Sequence, residues 1–242
     1  MQRLTKNQLH DLKSLHQKKG REEQGRYLIE GKKIVEEALD STFVEMDCVL
    51  HTASFDTSII PDSINSFHVS PAEMRRISTL KSPQEVIAVC RIPAFNSPKG
   101  NRILCLDGIQ DPGNLGSILR IVDWFGIPEV LLSKGSVDCF NPKTVQASMG
   151  SIFRIAIHYT ELEVFLKQTN LPIYGAVLEG ASIQDLVWPP EGILVIGSES
   201  TGISPSVMPL LHNRITIPRF GNAESLNAAI ACGILCAKWS GI

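Results

Sequence analysis

Short apolar runs alternate with amphipathic stretches along most of the chain, and this alternation predicts an α/β fold. Over about the first ninety residues the apolar runs are brief and are separated by polar loops. The pattern there predicts strands at residues 27–31, 46–51, 66–69 and 86–90 and helices at residues 4–18, 32–39 and 71–77. This part of the sequence therefore indicates a small α/β unit.

Beyond residue 101 the predicted strands are more completely apolar, as in a parallel sheet that is covered on both faces. They are expected at residues 103–106, 130–132, 173–176, 193–196 and 215–217, with helices at 115–125, 161–168, 205–211 and 226–239. The segment from Pro93 to Asn101 has two prolines, a glycine and no periodicity, which favours a boundary. We predict a domain at 1–91, a linker at 92–100 and a second domain at 101–242.

The composition is that of an ordinary globular protein, with 43% hydrophobic and 20% charged residues among 242. The net charge of −2 shows no global positive excess, but residues 1–33 hold nine Lys or Arg against four Asp or Glu. A local basic face is expected if the partner is a polyanion. A solvated helix face is the alternative.

The six cysteines include no C-x-x-C pair, and most lie in apolar runs, so we expect reduced, buried thiols and no metal site. Cys232 and Cys236 are one helical turn apart, which is more typical of a core than of a ligand pair. No apolar run approaches the ~20 residues of a membrane helix, and the polar N-terminus does not resemble a signal peptide. A cytoplasmic protein without a membrane partner is expected.

Three loops follow predicted strands and could carry chemistry, because ligands of open parallel sheets bind beyond the carboxyl ends of the strands. They span residues 107–116, 197–202 and 217–227. In the last, Pro218 ends strand pairing, and Ser225 stands where the N-cap of the final helix is expected. A strand, a polar loop and a helix of small residues form a place where backbone amides can approach a ligand.

Several common nucleotide and hydrolase motifs are missing from these loops. No G-x-G-x-x-G follows a strand, and no G-x-x-x-x-G-K-[ST] sequence is present. Residues 197–202 are not a nucleophile elbow either, because Ser198 occupies a position that must be glycine. The hydrolase and nucleoside-triphosphatase interpretations therefore lack their motifs.

A few polar residues and glycines in the three loops stand in a characteristic order. They are Asn114 with Arg120, then Gly197, Glu199 and Gly202, and then Ile217-Pro218 followed by Ser225-Leu226-Asn227. In this order they resemble the three motifs of the SpoU/TrmH class of SPOUT methyltransferases, the knotted RNA ribose methyltransferases. Asn141-Pro142 and Ser148-Met149-Gly150 resemble a weaker element of the same family. The sequence departs from the family at Ser198 and Ser200, where the second motif commonly has Asn and Gly.

The resemblance implies a C-terminal parallel-sheet domain with a trefoil knot. It also implies a small N-terminal α/β domain similar to a ribosomal-protein-like RNA-binding fold, through residues 28–31 and 82–88. The cofactor implied is S-adenosylmethionine, and the reaction is methyl transfer to a ribose 2′-hydroxyl. By the same resemblance Gly197, Ile217 and Leu226, with Ile196 and Gly202, hold the cofactor, although Ile217 and Leu226 alone would be interpreted as core.

The catalytic set implied by the family is Asn114, Arg120, Glu199, Ser225 and Asn227. Arg120 is poorly suited to act as a base because guanidinium is effectively always protonated. We expect it to clamp a phosphate and stabilise the incipient alkoxide, the alternative being a solvated helix arginine. Asn114 could equally be the N-cap of a helix starting at Leu115, and Glu199 could accept substrate hydroxyls or simply tie the loop. Asn227 falls inside the predicted helix, which favours a binding role.

RNA is the expected partner, ribosomal RNA before transfer RNA, and the family implies a homodimer. The residues expected to contact RNA are the basic ones Lys13, Lys18, Lys19, Arg21, Arg26 and Lys32. Two other classes stay open. One is a non-catalytic RNA-binding or antibiotic-resistance protein on the same scaffold, and the other is a nucleotide-dependent oxidoreductase, which lacks its fingerprint.

Overall fold

The computed structural model describes residues 4–94 and 97–242, and its contacts divide the chain into two compact units. The first unit comprises residues 4–94 with Asp138–Phe153, and the second comprises residues 97–137 with Arg154–Ile242. The segment Asp138–Phe153 thus follows the predicted linker in sequence but belongs to the first unit by its contacts.

Helices and strands alternate through both units, as the hydrophobic pattern predicts. The helices are α1 (Lys6–Ser14), α2 (Lys18–Gln24), α3 (Lys32–Leu39), α4 (Pro71–Ile77), α5 (Pro112–Trp124), α6 (Pro142–Ser148), α7 (Leu162–Gln168) and α8 (Ala228–Trp239). The strands are β1 (Arg26–Glu30), β2 (Met46–His51), β3 (Asn65–His68), β4 (Val86–Arg91), β5 (Arg102–Asp107), β6 (Glu129–Ser133), β7 (Ala156–Thr160), β8 (Ile173–Ser182), β9 (Gly192–Gly197) and β10 (Asn213–Thr216).

The first unit is built on a four-stranded sheet with the strand order β1-β4-β2-β3. β4 is antiparallel to β1 and β2, whereas β2 and β3 are parallel. The helix predicted over residues 4–18 was too long, since α1 ends at Ser14, and α2 was not predicted. At Gly20 of α2 a Cβ atom would lie 2.2 Å from the carbonyl oxygen of Ser14, so the absence of a side chain lets α2 approach the end of α1 closely. The chain folds back after α1, and α2 starts again at Lys18.

The second unit is built on a six-stranded parallel sheet with the order β10-β8-β9-β5-β6-β7. Its central strands are almost fully buried, which explains their continuous apolar sequence. β7 was not predicted because it is an edge strand of mixed character. The helix predicted over residues 205–211 was wrong, since Pro209 would lie in its interior and lacks the N–H group that would bond the carbonyl of residue 205. A single 3₁₀ turn at Met208–Leu210 takes its place.

In the part of the chain that the structure describes, there is no disulfide, no cluster of metal ligands and no helix that could span a membrane. All six cysteines are free, five are buried, and the sulfurs of Cys232 and Cys236 lie 3.7 Å apart inside the second unit. In residues 4–94 and 97–242 there is no cluster of three potential metal ligands. Over the same residues, no helix is both long and apolar enough to cross a bilayer.

Candidate active site

The carboxyl ends of β5 and β9 meet at one edge of the second sheet, where Asp107 pairs in register with Gly197. This pairing places the 107–116 loop beside the 197–202 loop. Asp107 is buried, and its Oδ2 accepts a hydrogen bond of 2.8 Å from the backbone N–H of Ser204. Asp107 at the end of β5 therefore fixes the position of the backbone that follows the 197–202 loop.

Asn114 connects the three loops through its side-chain amide. Its Nδ2 donates to Oε1 of Glu199, and its Oδ1 accepts from Nδ2 of Asn227 over 2.9 Å. The alternative interpretation, in which Asn114 is the N-cap of a helix starting at Leu115, was wrong. Asp111 is the cap, with its carboxylate accepting from the Asn114 N–H at 2.8 Å, and α5 starts at Pro112. The Asn114 side chain is thereby available for the bridge.

Asn227 is the N-cap of α8, not a residue of its interior. Its Oδ1 accepts hydrogen bonds from the backbone N–H groups of Ala229, at 2.9 Å, and Ile230, at 3.3 Å. The prediction that Ser225 caps this helix was therefore wrong, and Ser225 lies exposed two residues earlier. One side chain performs two tasks, because the oxygen of Asn227 caps the helix while its nitrogen binds Asn114.

The 197–202 loop closes tightly on itself. Ser198 and Gly202 exchange backbone hydrogen bonds of 3.2 and 3.0 Å, and Gly202 has a φ of 66°, a conformation that favours glycine. The Ser198 hydroxyl is 2.8 Å from the Thr201 hydroxyl and accepts from the Thr201 N–H at 3.2 Å. Ser198, one of the two positions at which the sequence departs from the family, thus stabilises the loop. Glu199, the next residue, is exposed.

Gly197 must be glycine for a different reason. A Cβ atom there would lie 2.1 Å from the carbonyl carbon of Gly202 and 2.3 Å from the nitrogen of Ile203. The close approach of these two backbone segments forms one wall of a cavity of about 670 Å³. That volume falls in the range of sites that enclose small organic cofactors.

The cavity brings together residues from two of the three loops. Its wall contains all five residues expected to hold a cofactor, which are Ile196, Gly197, Gly202, Ile217 and Leu226, together with Glu199 and Ser225. Leu226 is 45% exposed, so it is not a core residue. The surface is mainly apolar and includes a few polar and charged side chains, which suits a flat base with hydrogen-bonding edges. This composition fits an adenosyl group.

Arg120 is not part of the cavity wall. It lies on α5 six residues after Asn114, which is about 9 Å along the helix axis and on a different side of the helix. Its side chain is exposed, and within the described residues it forms no ion pair. The structure of a single chain therefore brings Asn114, Glu199 and Asn227 together but leaves Arg120 apart.

The basic residues of the first unit are for the most part exposed, but several are paired with acids. Lys18, Lys19, Arg26 and Lys32 lie 3.7–4.0 Å from Glu22, Glu23, Asp47 and Glu36, respectively, and Lys13 is exposed. Arg21 is different, since its side chain is 2% exposed and bonds Asp138 at 2.5 Å and the Leu15 carbonyl at 2.7 Å. We therefore remove Arg21 from the residues expected to contact RNA, because its charge is satisfied inside the unit.

Comparison with known families agrees with this geometry. The sequence model of the SpoU rRNA Methylase family matches residues 101–237. The chain belongs to this family. The model of the MRM3-like substrate binding domain matches residues 6–88, within the first unit. The resemblance inferred from the three loops and from the N-terminal half is confirmed.

Similar proteins cover nearly the whole chain. RlmP of Bacillus subtilis, named a 23S rRNA guanosine 2′-O-methyltransferase, is 33% identical over 95% of each chain. A TrmH-family RNA methyltransferase structure from Porphyromonas gingivalis has a TM-score of 0.91 at 39% identity, covering 98% of both chains. The AdoMet-bound rRNA methyltransferase of Sinorhizobium meliloti has a TM-score of 0.88 at 26% identity, covering 99% of this chain and 96% of that one. The predicted α/β architecture is confirmed, and S-adenosylmethionine is the cofactor of the family.

Proposed function

We propose that this SpoU-family chain transfers the methyl group of S-adenosylmethionine to a ribose 2′-hydroxyl of ribosomal RNA. The observation that carries the proposal is the Glu199–Asn114–Asn227 bridge, which joins all three motif loops and includes Glu199 of the cavity wall. The name of the Bacillus subtilis relative supports both the 2′-O position and ribosomal RNA. Transfer RNA is the second candidate substrate.

Five residues of the chain would hold the cofactor. Because Gly197 has no side chain and Gly202 forms a turn, backbone groups there would be free to bind the adenine, and Ile196, Ile217 and Leu226 would provide apolar contacts to it. When bound, the cofactor supplies a methyl group on a positively charged sulfur. The largely apolar wall would reduce the water around that group and so strengthen the electrostatic interactions there.

Three polar side chains would prepare the ribose hydroxyl. Glu199 uses one carboxylate oxygen to hold Asn114, which leaves the second oxygen to accept the hydroxyl proton. The amides of Asn114 and Asn227 fix the direction of that carboxylate, and alignment of this kind is a large part of catalysis when two reactants must meet in line. Ser225, exposed in the cavity wall, adds a further hydroxyl for the substrate.

The role of Arg120 is electrostatic. Its permanent positive charge stabilises the negative charge that develops on the attacking oxygen and binds the adjacent phosphate. Because Arg120 lies outside the cavity wall of its own chain, we propose that it acts in the cavity of a second copy in a homodimer.

A homodimer is supported by the surface of α5 and α8, which pack together in the second unit. Ile230 and Ile234 are 57% and 36% exposed on α8, and Trp124 is 84% exposed at the end of α5. Exposed apolar side chains of this size on two packed helices are typical of an interaction surface. We propose that the two copies meet at this surface.

The path of the chain between β9 and α8 supports the family's trefoil knot. The chain leaves the sheet interior at β9, reaches the edge at β10, and then returns so that α8 packs against α5. The Asn114–Asn227 hydrogen bond ties this return to the first loop. We propose that the segment between β10 and α8 threads through a loop of the chain and so forms the knot.

The N-terminal domain would hold the RNA. We propose that residues 1–91 form this substrate-binding domain, that 92–100 is the linker and that 101–242 is the methyltransferase domain. The basic residues Lys13, Lys18, Lys19, Arg26 and Lys32 would contact phosphate, which gives affinity that depends on salt and little on sequence. We propose that the chain acts in the cytoplasm, which the bacterial source of the RlmP relative supports.

The test is methylation with S-adenosylmethionine carrying a tritiated methyl group, using deproteinised ribosomal RNA and, separately, transfer RNA. A 2′-O-methyl group blocks alkaline cleavage at its own nucleotide, so the label should appear in one alkali-resistant dinucleotide from ribosomal RNA. Label in mononucleotides would show base methylation and would refute the 2′-O assignment. Label in transfer RNA alone would establish the second candidate substrate.

A further inference from the structure

Phe220 is the one aromatic residue among the described residues that line the cavity, and it is 93% exposed. A phenylalanine this exposed has no packing partner to account for it, since most of its ring area faces water. Leu178, 74% exposed, and Leu226 lie in the same wall. The mouth of the cavity thus has an apolar rim with a single aromatic ring.

The loop that carries Phe220 is held in a defined shape. Pro218 restricts the backbone before the ring, and the guanidinium of Arg219 donates a 3.3 Å hydrogen bond to the carbonyl of Ala223. This bond ties residue 219 to residue 223 and leaves Phe220 at the outer side of the turn. Arg219 forms no ion pair within the described residues, so a positive charge stands beside the exposed ring.

An aromatic ring next to an unpaired arginine is suited to unstacked RNA. Proteins recognise single-stranded nucleotides by stacking the bases on aromatic side chains while cations hold the phosphates. In the proposed reaction a ribose must enter the cavity, so the base attached to that ribose, or to its neighbour, has to lie at the cavity mouth. The mouth is where Phe220 is displayed.

We propose that Phe220 is a substrate-binding residue, a platform on which an unpaired RNA base stacks when the ribose of the target nucleotide enters the cavity. The inference rests on the proposed function, because it names a further contact to the same substrate. Stacking requires a flat ring, so an aliphatic side chain of similar area cannot replace it.

The experiment compares Phe220→Ala, Phe220→Leu, Phe220→Tyr and Phe220→Trp in the full chain. Deproteinised ribosomal RNA is the probe, and the readouts are kcat and KM for RNA, the Kd for S-adenosylhomocysteine, and the molar mass in solution. We expect Phe220→Ala and Phe220→Leu to raise the KM for RNA by about tenfold or more, with Tyr and Trp near wild type. The Kd for S-adenosylhomocysteine and the molar mass should not change. Val187→Ala, which truncates an apolar side chain of the second unit that is 91% exposed and outside the cavity wall, is the matched control.

Each of the other outcomes would contradict a different part of the proposal. A wild-type KM for Phe220→Leu would refute stacking and indicate simple apolar contact. Weaker S-adenosylhomocysteine binding by Phe220→Ala would make the ring a cofactor contact, and a change in molar mass would make it part of an interface. If the wild-type chain methylates no RNA, the proposed function fails and this inference fails with it. An active wild type with an unchanged KM in Phe220→Ala refutes the inference alone.

Discussion

The side-chain amide of Asn227 caps α8 through its oxygen and, through its nitrogen, donates a 2.9 Å hydrogen bond to Asn114. Because Asn114 in turn holds Glu199, the start of the last helix and the two preceding motif loops share one hydrogen-bonded unit. The final helix therefore contributes to the site not only by packing but by setting the direction of an amide.

Asn227→Asp separates the two tasks of this side chain. The carboxylate still accepts from the Ala229 and Ile230 N–H groups, and its charge is favourable at a helix N-terminus, so stability should change by less than about 1 kcal/mol. The donor to Asn114 is lost, and a negative charge is placed near Glu199. We expect kcat to fall by about 100-fold or more, by analogy with the loss of one preorganised polar group.

Asn227→Ala is the companion to that variant. It removes both the cap and the bridge, so it should lower kcat as well and also cost about 1 kcal/mol in urea unfolding. Full activity of Asn227→Asp would show that the bridge has no part in catalysis.

Gly197→Ala should damage the cavity and the stability together. The added methyl group would lie 2.1 Å from the carbonyl carbon of Gly202, a backbone atom that cannot move aside without opening the 197–202 loop. We expect a loss of about 2 kcal/mol or more, in the range of other overpacking substitutions, and at least tenfold weaker S-adenosylhomocysteine binding by calorimetry.

Gly221→Ala is the control, because a Cβ atom at Gly221 meets no atom of the described residues within 4 Å, although Gly221 also lines the cavity. Its affinity and unfolding midpoint should remain close to wild type. Equal losses of stability and of S-adenosylhomocysteine affinity in the two variants would show that the close backbone contact at Gly197 is not the cause of those losses.

The apolar strands and the motif loops could be predicted from the sequence, whereas the caps and the pairing of Arg21 could not. Long apolar runs mark buried strands directly, so β5 and β9 and the loops after them were found. Capping signals are ambiguous, since Asp111 and Asn114 are equally good caps for α5 and only the hydrogen bond decides between them. The partner of Arg21 lies 117 residues away, and no local pattern reports such a contact.

Arg21→Ala should strongly destabilise the first unit. The guanidinium is 2% exposed and satisfies the Asp138 carboxylate, whose side chain is itself only 14% exposed. Removing one partner leaves a largely buried charge, so we expect a cost of about 3–5 kcal/mol in urea unfolding. Lys19→Ala, an exposed lysine of the same helix, should cost less than about 0.5 kcal/mol. A comparably small effect of Arg21→Ala would show that the buried pair contributes little.

Cys48 should be nearly inert toward alkylation in the folded chain. Burial, and secondly the nearby Asp47 carboxylate, raise the pKa of its thiol from the ordinary 9.0 to about 11. At pH 8 the thiolate is then ~100-fold scarcer than in the unfolded chain, and only the thiolate reacts. Modification by iodoacetamide, followed by peptide mass spectrometry, should be slower by about that factor and should accelerate as the pH rises toward 11. Equal rates in native buffer and in urea would contradict this.

A complementation experiment can decide whether Arg120 acts in the cavity of its own chain or in that of a second copy. Arg120→Ala should lower kcat by about 100-fold or more while leaving the S-adenosylhomocysteine affinity unchanged, because Arg120 is not in the cavity wall. Leu226→Arg should abolish cofactor binding, since Leu226 is in that wall. If Arg120 acts across the proposed dimer, a doubly tagged heterodimer of the two variants has one intact site and should recover about half of the wild-type activity. If Arg120 acts within its own chain, neither site of that heterodimer is complete, and it should remain as inactive as the parent variants.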